Sequence, residues 1–158
     1  MSETITFEFE LKPTYWDRPP HIEVILDGDT MLEQDIVKPT TICFTRSVDF
    51  NKTHTLAIKR SGKDDSQCCE DENGNWLDQM LELVSVKIDG INIRDIVWAY
   101  SWSEPEYPEP WATEQREQGI ELEKRVPGET VFGHNTTWKL EFTSPFYKHI
   151  MKWMDGQL

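Results

Sequence analysis

The longest apolar β-pattern in the sequence, Met80–Ile93, constrains the fold more than any other stretch. Its apolar side chains fall in both phases of the two-residue strand period: Leu81, Leu83, Val84, Val86 and Ile88. A strand that is apolar on both faces is expected to lie buried in the middle of a sheet. Asp89-Gly90 then supplies turn residues that reverse or kink the chain. We therefore predict a central strand here.

Shorter stretches on either side alternate between apolar and polar residues, as half-exposed antiparallel strands do. The predicted strands are Thr4–Leu11, His21–Leu26, Thr30–Val37, Thr40–Arg46, Thr53–Arg60, Ile91–Tyr100, Gly119–Val126, Thr130–Phe132 and Thr136–Thr143. Many short strands separated by turn residues indicate an all-β fold, an antiparallel β-sandwich or jelly roll. At 158 residues, the chain has the length of a single domain spanning residues 1–158.

The apolar pattern changes from strand to helix periodicity at Ser144-Pro145, where serine is a favourable N-cap and proline a favourable first helical residue. Two apolar rows follow at helical spacing, Phe146, Ile150 and Trp153 in one and Tyr147, Met151 and Met154 in the other, with Lys148, His149 and Lys152 opposite. We predict a short C-terminal helix that ends at Asp155-Gly156. It either docks on the sandwich, covering an edge strand, or contacts a neighbouring protein subunit through residues such as Phe146 and Trp153.

The net charge of -13, from 29 acidic and 16 basic side chains, disfavours binding to nucleic acid and to anionic membrane surfaces. No apolar run approaches the roughly 18 residues of a membrane-spanning helix. The residues Met1–Thr4 lack the basic start and apolar core of a signal peptide. We expect a protein made in the cytoplasm. Its three cysteines do not form a disulfide framework.

An acidic loop precedes the central strand, between Lys63 and Gln79. Its candidate metal ligands are the carboxylates of Asp64, Asp65, Asp71 and Asp78. Calcium prefers such hard oxygen ligands, and a cation would offset the repulsion among like charges. The spacing does not match an EF-hand, because alignment on Gly74 puts Cys69 at the first ligand position. A calcium site and a solvated acidic loop both remain open.

An aromatic, proline- and glutamate-rich loop follows the central strand, from Trp98 to Trp111. The composition of residues 101–118 argues against a helix or the interior of a sheet. Its candidate binding residues are Trp102, Tyr107, Trp111, Glu104 and Glu106. Exposed rings can stack on sugar rings while carboxylates accept hydrogen bonds from the hydroxyls. The same residues also suit a protein contact, or packing over the end of the sandwich.

The sequence contains none of the catalytic signatures that local patterns reveal. It has no GxSxG, no HExxH and no phosphate-binding glycine loop. Its four histidines are scattered, and no CxxC pair completes a zinc site. We therefore expect a protein that is not an enzyme.

Two parts of the chain carry resemblances to known families. The stretch Ile58–Ile93 contains a strand, an acidic Asp/Asn loop and a strand that closes with Lys87-Ile88-Asp89-Gly90. It resembles the calcium-dependent xylan-binding class of carbohydrate-binding modules. This resemblance implies a β-sandwich with calcium in its loops and a glycan as ligand.

The second resemblance lies in the C-terminal half, in Glu106-Tyr107-Pro108, the run from Gly133 to Leu140, and the Phe142…Pro145…Tyr147 ending. These residues are similar to small uncharacterised β-proteins of large tailed phages, especially marine ones. The resemblance implies a phage protein and is compatible with a place in the virion.

Together these observations predict a non-enzymatic interaction module. The first hypothesis is a phage structural or accessory protein, incorporated in a virion and docking on other subunits through its aromatic loop and C-terminal segment. The alternative is a calcium-dependent carbohydrate-binding module that uses the same aromatic loop as its sugar platform.

Overall fold

The alternating stretches of the sequence form β-strands in the computed structural model, which describes residues 1–158. The strands are β1 (Ser2–Thr14), β2 (His21–Leu26), β3 (Asp29–Asp35), β4 (Thr40–Asp49), β5 (Thr53–Ser61), β6 (Cys69–Glu70), β7 (Trp76–Leu77), β8 (Met80–Ile88), β9 (Ile91–Asn92), β10 (Trp102–Pro105), β11 (Val126–Pro127), β12 (Val131–Phe132) and β13 (Thr136–Thr143). The helices are α1 (Arg94–Tyr100), α2 (Trp111–Glu117) and α3 (Phe146–Met154), with a 3-10 turn at Asp65–Gln67. No helix is both long and apolar enough to cross a membrane.

The strands form two main antiparallel sheets, which confirms the predicted β-sandwich. The first sheet has the order β12-β8-β1-β4, with β9 also paired to β8. The second has the order β11-β10-β13-β5-β2-β3, and β6 pairs with β7 in a separate hairpin. Every strand pairing is antiparallel.

The core lies between the two sheets, because each strand turns one set of alternate side chains inward. In β1 this set is Ile5, Phe7, Phe9 and Leu11, all fully buried. From the second sheet, Phe142 reaches Phe7 with ring centroids 5.9 Å apart. The alternation that identified these strands is therefore the pattern that builds the core.

The strand β8 is apolar in both phases for a different reason from the one predicted. The register with β1 shifts between the pairs Glu10–Ser85 and Leu11–Leu83, which leaves Val84 as an extra residue. Such a bulge changes the phase of the side chains along the strand. Val84 is exposed, whereas Leu83 lies in the core. The strand thus buries one face, and the prediction of two buried faces was wrong.

The segment after β8 differs most from the sequence prediction. Ile91–Tyr100 is not one strand, since α1 begins at Arg94 and buries Ile96 and Val97. Residues 101–118, whose composition argued against a helix or the interior of a sheet, contain β10 and α2. Pro110 immediately precedes α2, a position where proline does not interrupt the hydrogen bonds of a helix. Of the strand predicted between Gly119 and Val126, only Val126 is in β11.

The C-terminal helix is confirmed as α3, but its N-terminus is capped differently. Ser144 does not cap the helix; its hydroxyl donates a hydrogen bond to the carboxylate of Glu3. The same carboxylate accepts a hydrogen bond of 2.9 Å from the backbone N–H of Phe146. A side chain of β1 therefore satisfies a free N–H at the start of α3.

One of the two apolar rows of α3 docks on the sandwich. Phe146 is 2% exposed, and Ile150 and Trp153 pack against the core. His149, expected on the polar side, is buried too, because its ring stacks on Phe146. The other row stays in solvent: Tyr147 is 60%, Met151 56% and Met154 72% exposed.

Candidate functional site

Three loops converge at one end of the second sheet because of the register of its strands. Thr136, the first residue of β13, pairs with Arg60 near the end of β5 and with Pro105 at the end of β10. The acidic loop follows β5, the second half of the aromatic loop follows β10, and the turn at residues 133–135 precedes β13. The two loops that were separate candidates in the sequence therefore meet at one place.

A pocket with a volume of about 390 Å³ lies where these loops meet. Its lining consists of Lys63, Asp64, Asp65, Cys68 and Trp76 from the acidic loop, Glu106, Pro108 and Trp111 from the aromatic loop, and His134 and Asn135 from the turn. The lining combines aromatic faces, carboxylates, one ammonium group and one amide.

Two tryptophan side chains present aromatic surface in this pocket. Trp76, the first residue of β7, is 65% exposed, and Trp111, at the start of α2, is 39% exposed. Trp111 is supported by Tyr107 and His134, with ring centroids 6.1 and 6.4 Å from its own. The Tyr107 hydroxyl donates a hydrogen bond of 2.7 Å to the carbonyl of Glu123, which holds that ring in place.

The side chain of Asn135 joins the three loops. Its Oδ1 accepts hydrogen bonds of 3.0 Å from the backbone N–H of Lys63 and from Nη1 of Arg60, and its Nδ2 donates to the carbonyl of Lys63 at 2.8 Å. Its backbone carbonyl accepts from the N–H of Glu106 at 2.8 Å. Because these bonds already use the amide oxygen and nitrogen, Asn135 positions the pocket rather than serving as its main polar contact.

Two carboxylates in the pocket lack a basic partner. The ammonium group of Lys63 is paired with Asp78 at 2.6 Å and also donates to the carbonyl of Gly133. Asp64 is paired with Arg18 at 2.6 Å. The ion pairs of the structure do not include Asp65 or Glu106, and both residues are exposed.

The titration of two pocket groups is shifted by their surroundings. Hydrogen bonds from Ser66 and Arg18 lower the pKa of Asp64 to about 2, so this carboxylate stays charged. Partial burial, with Lys63 nearby, lowers the pKa of His134. The His134 ring is therefore neutral at pH 7, and the ionic character of the pocket comes from its carboxylates and Lys63.

A buried arginine lies beneath the pocket. Arg60 is 1% exposed; its Nη2 donates a hydrogen bond of 2.7 Å to the carbonyl of Gln79, and its Nη1 donates to Asn135. Burial lowers the pKa of Arg60 to about 10, opposed by the charge of Asp78. The guanidinium is still protonated at pH 7. Its N–H groups therefore link the buried carbonyl of Gln79 to the side chain of Asn135, which joins the loops.

The four predicted metal ligands do not come together in a calcium site. Three of them already accept hydrogen bonds: Asp64 from Arg18 and Ser66, Asp71 from Asn73 and Asn75, and Asp78 from Lys63 and Gln79. No three His, Cys, Asp or Glu side chains lie close enough to hold a metal ion. Basic groups and backbone amides thus offset the repulsion within the acidic loop, and this arrangement does not fit a calcium ion.

The predicted binding residues divide among three places. Tyr107, Trp111 and Glu106 are at the pocket. Trp102 and Glu104 lie elsewhere on β10: Arg125 stacks on the Trp102 ring at 4.7 Å, and Glu104 is paired with Lys139 at 2.6 Å.

The other two predicted binding residues, Phe146 and Trp153, belong to the docked row of α3. Trp76 was missed, because the acidic loop was considered only for its carboxylates. A tryptophan directly after the polar turn Asp71–Asn75 was the signal that could have identified it.

A search with models of known protein families finds no match to this chain, and a search of curated proteins finds none either. Two solved structures are similar to it. One is vCBM60 in complex with galactobiose, with 6% sequence identity and a TM-score of 0.48 over 85% of this chain and 96% of that chain.

The other is the selenomethionine form of vCBM60, from work on circular permutation as a link between two families of calcium-dependent carbohydrate-binding modules. It has 7% identity and a TM-score of 0.48 over 86% of this chain and 89% of that chain. The resemblance of the chain to calcium-dependent carbohydrate-binding modules is thus found again among solved structures. The resemblance to phage proteins stays a prediction.

Proposed function

We propose that this chain is a non-enzymatic carbohydrate-binding module and that the pocket between the acidic and aromatic loops is its sugar site. The observation that carries the proposal is the pair of exposed rings, Trp76 and Trp111, that line one pocket together with the free carboxylates of Asp65 and Glu106. Aromatic faces contact the C–H faces of a pyranose ring, and carboxylates accept hydrogen bonds from its hydroxyls.

The construction of the pocket supports binding by a preformed surface. Tyr107 and His134 flank Trp111, and Asn135 fixes the backbone of both loops. Side chains that are already held in place lose little conformational freedom when a ligand binds. The volume of about 390 Å³ is in the range of small-molecule pockets.

We expect Trp76→Ala and Trp111→Ala each to weaken glycan binding roughly tenfold, because each removes one stacking surface. Binding is measured by titrating the protein with neutral oligosaccharides and following tryptophan fluorescence and isothermal heat. A panel of gluco-, xylo- and galacto-oligosaccharides covers the common stacking geometries.

The matched control is Trp98→Ala, because Trp98 is 76% exposed and lies outside this pocket. This variant should bind as the unchanged protein does. Equal losses in all three variants, or no binding of any member of the panel, would refute the proposed site.

The same titrations in EDTA and in calcium test whether binding depends on the metal that the sequence resemblance implies. Since Asp64, Asp71 and Asp78 already accept hydrogen bonds from other groups of the protein, we expect binding to persist in EDTA.

The exposed row of α3 favours a second candidate function, contact with another protein subunit, as the hypothesis of a phage structural protein requires. Tyr147, Met151 and Met154 present contiguous apolar side chains to solvent on a helix that is itself anchored by Phe146. Exposed apolar rows of this kind occur at protein–protein contacts.

This second candidate predicts that the chain self-associates, and that the double substitution Met151→Ser and Met154→Ser makes it monomeric without lowering its melting temperature. Light scattering at several concentrations gives the oligomeric state. Substitution is preferable to deletion of α3, because loss of Phe146 would expose the core. A wild-type chain that is monomeric at high concentration would exclude self-association.

A further inference from the structure

We propose that the pocket prefers saccharides that carry a free amine, such as oligomers of glucosamine, over neutral and acidic saccharides. This inference rests on the proposed function and specifies its ligand class. Its basis is the placement of two carboxylates without basic partners, Asp65 and Glu106, in the same pocket as two exposed indole rings.

The charge within the lining favours a cationic ligand. Three carboxylates line the pocket, Asp64, Asp65 and Glu106, against a single ammonium group, Lys63. That ammonium is already neutralised by Asp78, and Asp64 by Arg18. Asp65 and Glu106 are left to interact with a positive group on the ligand. They come from the two different loops, so a ligand held by both would bridge the pocket.

The aromatic groups favour the same ligand. The face of an indole ring attracts cations as well as C–H groups. A sugar ring that stacks on Trp76 or Trp111 brings its ammonium substituent into a pocket that Asp65 and Glu106 also line. A neutral sugar gains the stacking but not the ionic contact, and an N-acetylated sugar replaces the ammonium with an uncharged amide.

The same charges exclude acidic glycans. A uronic acid or a sulfated sugar would bring a negative group next to Asp65 and Glu106, in a protein whose net charge is -13. Lys63 does not compensate, because both Asp78 and the carbonyl of Gly133 accept hydrogen bonds from its ammonium group.

The experiment compares three oligosaccharides of equal length: β-1,4-linked glucosamine, N-acetylglucosamine and glucose. Binding to the full chain is measured by isothermal titration at a pH below the pKa of the sugar amine. We expect the glucosamine oligomer to bind at least about fivefold more tightly than the glucose oligomer, and added salt to reduce that ratio. Glu106→Gln and Asp65→Asn should each reduce the ratio, because each should lower the affinity for the glucosamine oligomer more than the affinity for the glucose oligomer.

General attraction between a polycation and an acidic protein is tested by Glu141→Gln. Glu141 is an exposed carboxylate toward the other end of β13 and has no ion pair. The Glu141→Gln variant should have the same ratio of glucosamine-oligomer to glucose-oligomer affinity as the unchanged protein. A reduction of this ratio equal to that caused by Glu106→Gln would overturn the proposal. A ratio of one, with both oligomers bound, would also overturn it and leave the proposed function intact. If none of the three oligosaccharides binds, and no member of the neutral panel binds either, the proposed function itself is refuted.

Discussion

Replacing Arg60 with alanine is expected to lower the free energy of unfolding by about 3 kcal/mol or more. The side chain is 1% exposed, so its removal leaves a cavity in the sandwich. Its loss also leaves two buried acceptors without their donor, the carbonyl of Gln79 and Oδ1 of Asn135. Chemical denaturation followed by tryptophan fluorescence measures the change.

Arg60→Met separates the structural effect from the effect on the site. Methionine retains most of the buried volume but leaves the same two acceptors without their donor, so this variant should lose less than Arg60→Ala, about 1–3 kcal/mol. It still releases Asn135 from one of its anchors, and we therefore expect weaker glycan binding in a folded protein. If Arg60→Met binds glycans as well as the unchanged chain does, the guanidinium has no part in ordering the pocket.

Replacing Trp138 with alanine is expected to destabilise the chain by about 3–5 kcal/mol. Trp138 is fully buried in β13, between Ile58 of β5 and Ser103 of β10 in the sheet. Its side chain is the largest among the fully buried ones, so truncation leaves the largest void. Thermal and denaturant unfolding should both show the loss.

Trp138→Phe provides the informative comparison. The indole N–H of Trp138 has no hydrogen-bond partner, so phenylalanine loses volume but no bond. We expect a cost of about 1–2 kcal/mol. A phenylalanine variant as unstable as the alanine variant would indicate that the N–H group is satisfied in solution. The exposed Trp98 serves again as control, because its truncation should not affect stability.

Strand alternation predicted most of the sandwich because it reflects burial directly. Thr4–Leu11 and Thr136–Thr143 alternate cleanly, and their inward residues are core residues in the structure. The bulge at Val84 was not predictable in the same way. Its position depends on the register with β1, and a change of phase within one strand has the same pattern as a strand buried on both faces.

The aromatic loop was misassigned because local composition and local structure conflict there. Proline and glutamate are abundant in it, yet the proline that precedes α2 occupies a helix start, where no N–H is required.

The pocket could not be predicted from local sequence patterns alone. Glu106 and Trp111 were identified as candidates, but Trp76 joins them only through the pairing of Thr136 with Arg60 and Pro105. No local pattern encodes that pairing.

The contact of Glu3 with Ser144 and Phe146 has a practical consequence. It holds the start of β1, near the N-terminus, against the start of α3 at the end of β13 farthest from the pocket, since Thr136 begins that strand at the pocket and Thr143 ends it next to α3. A tether on the N-terminus, to a sensor surface or a fusion partner, would therefore hold the molecule with the pocket between the acidic and aromatic loops facing outward.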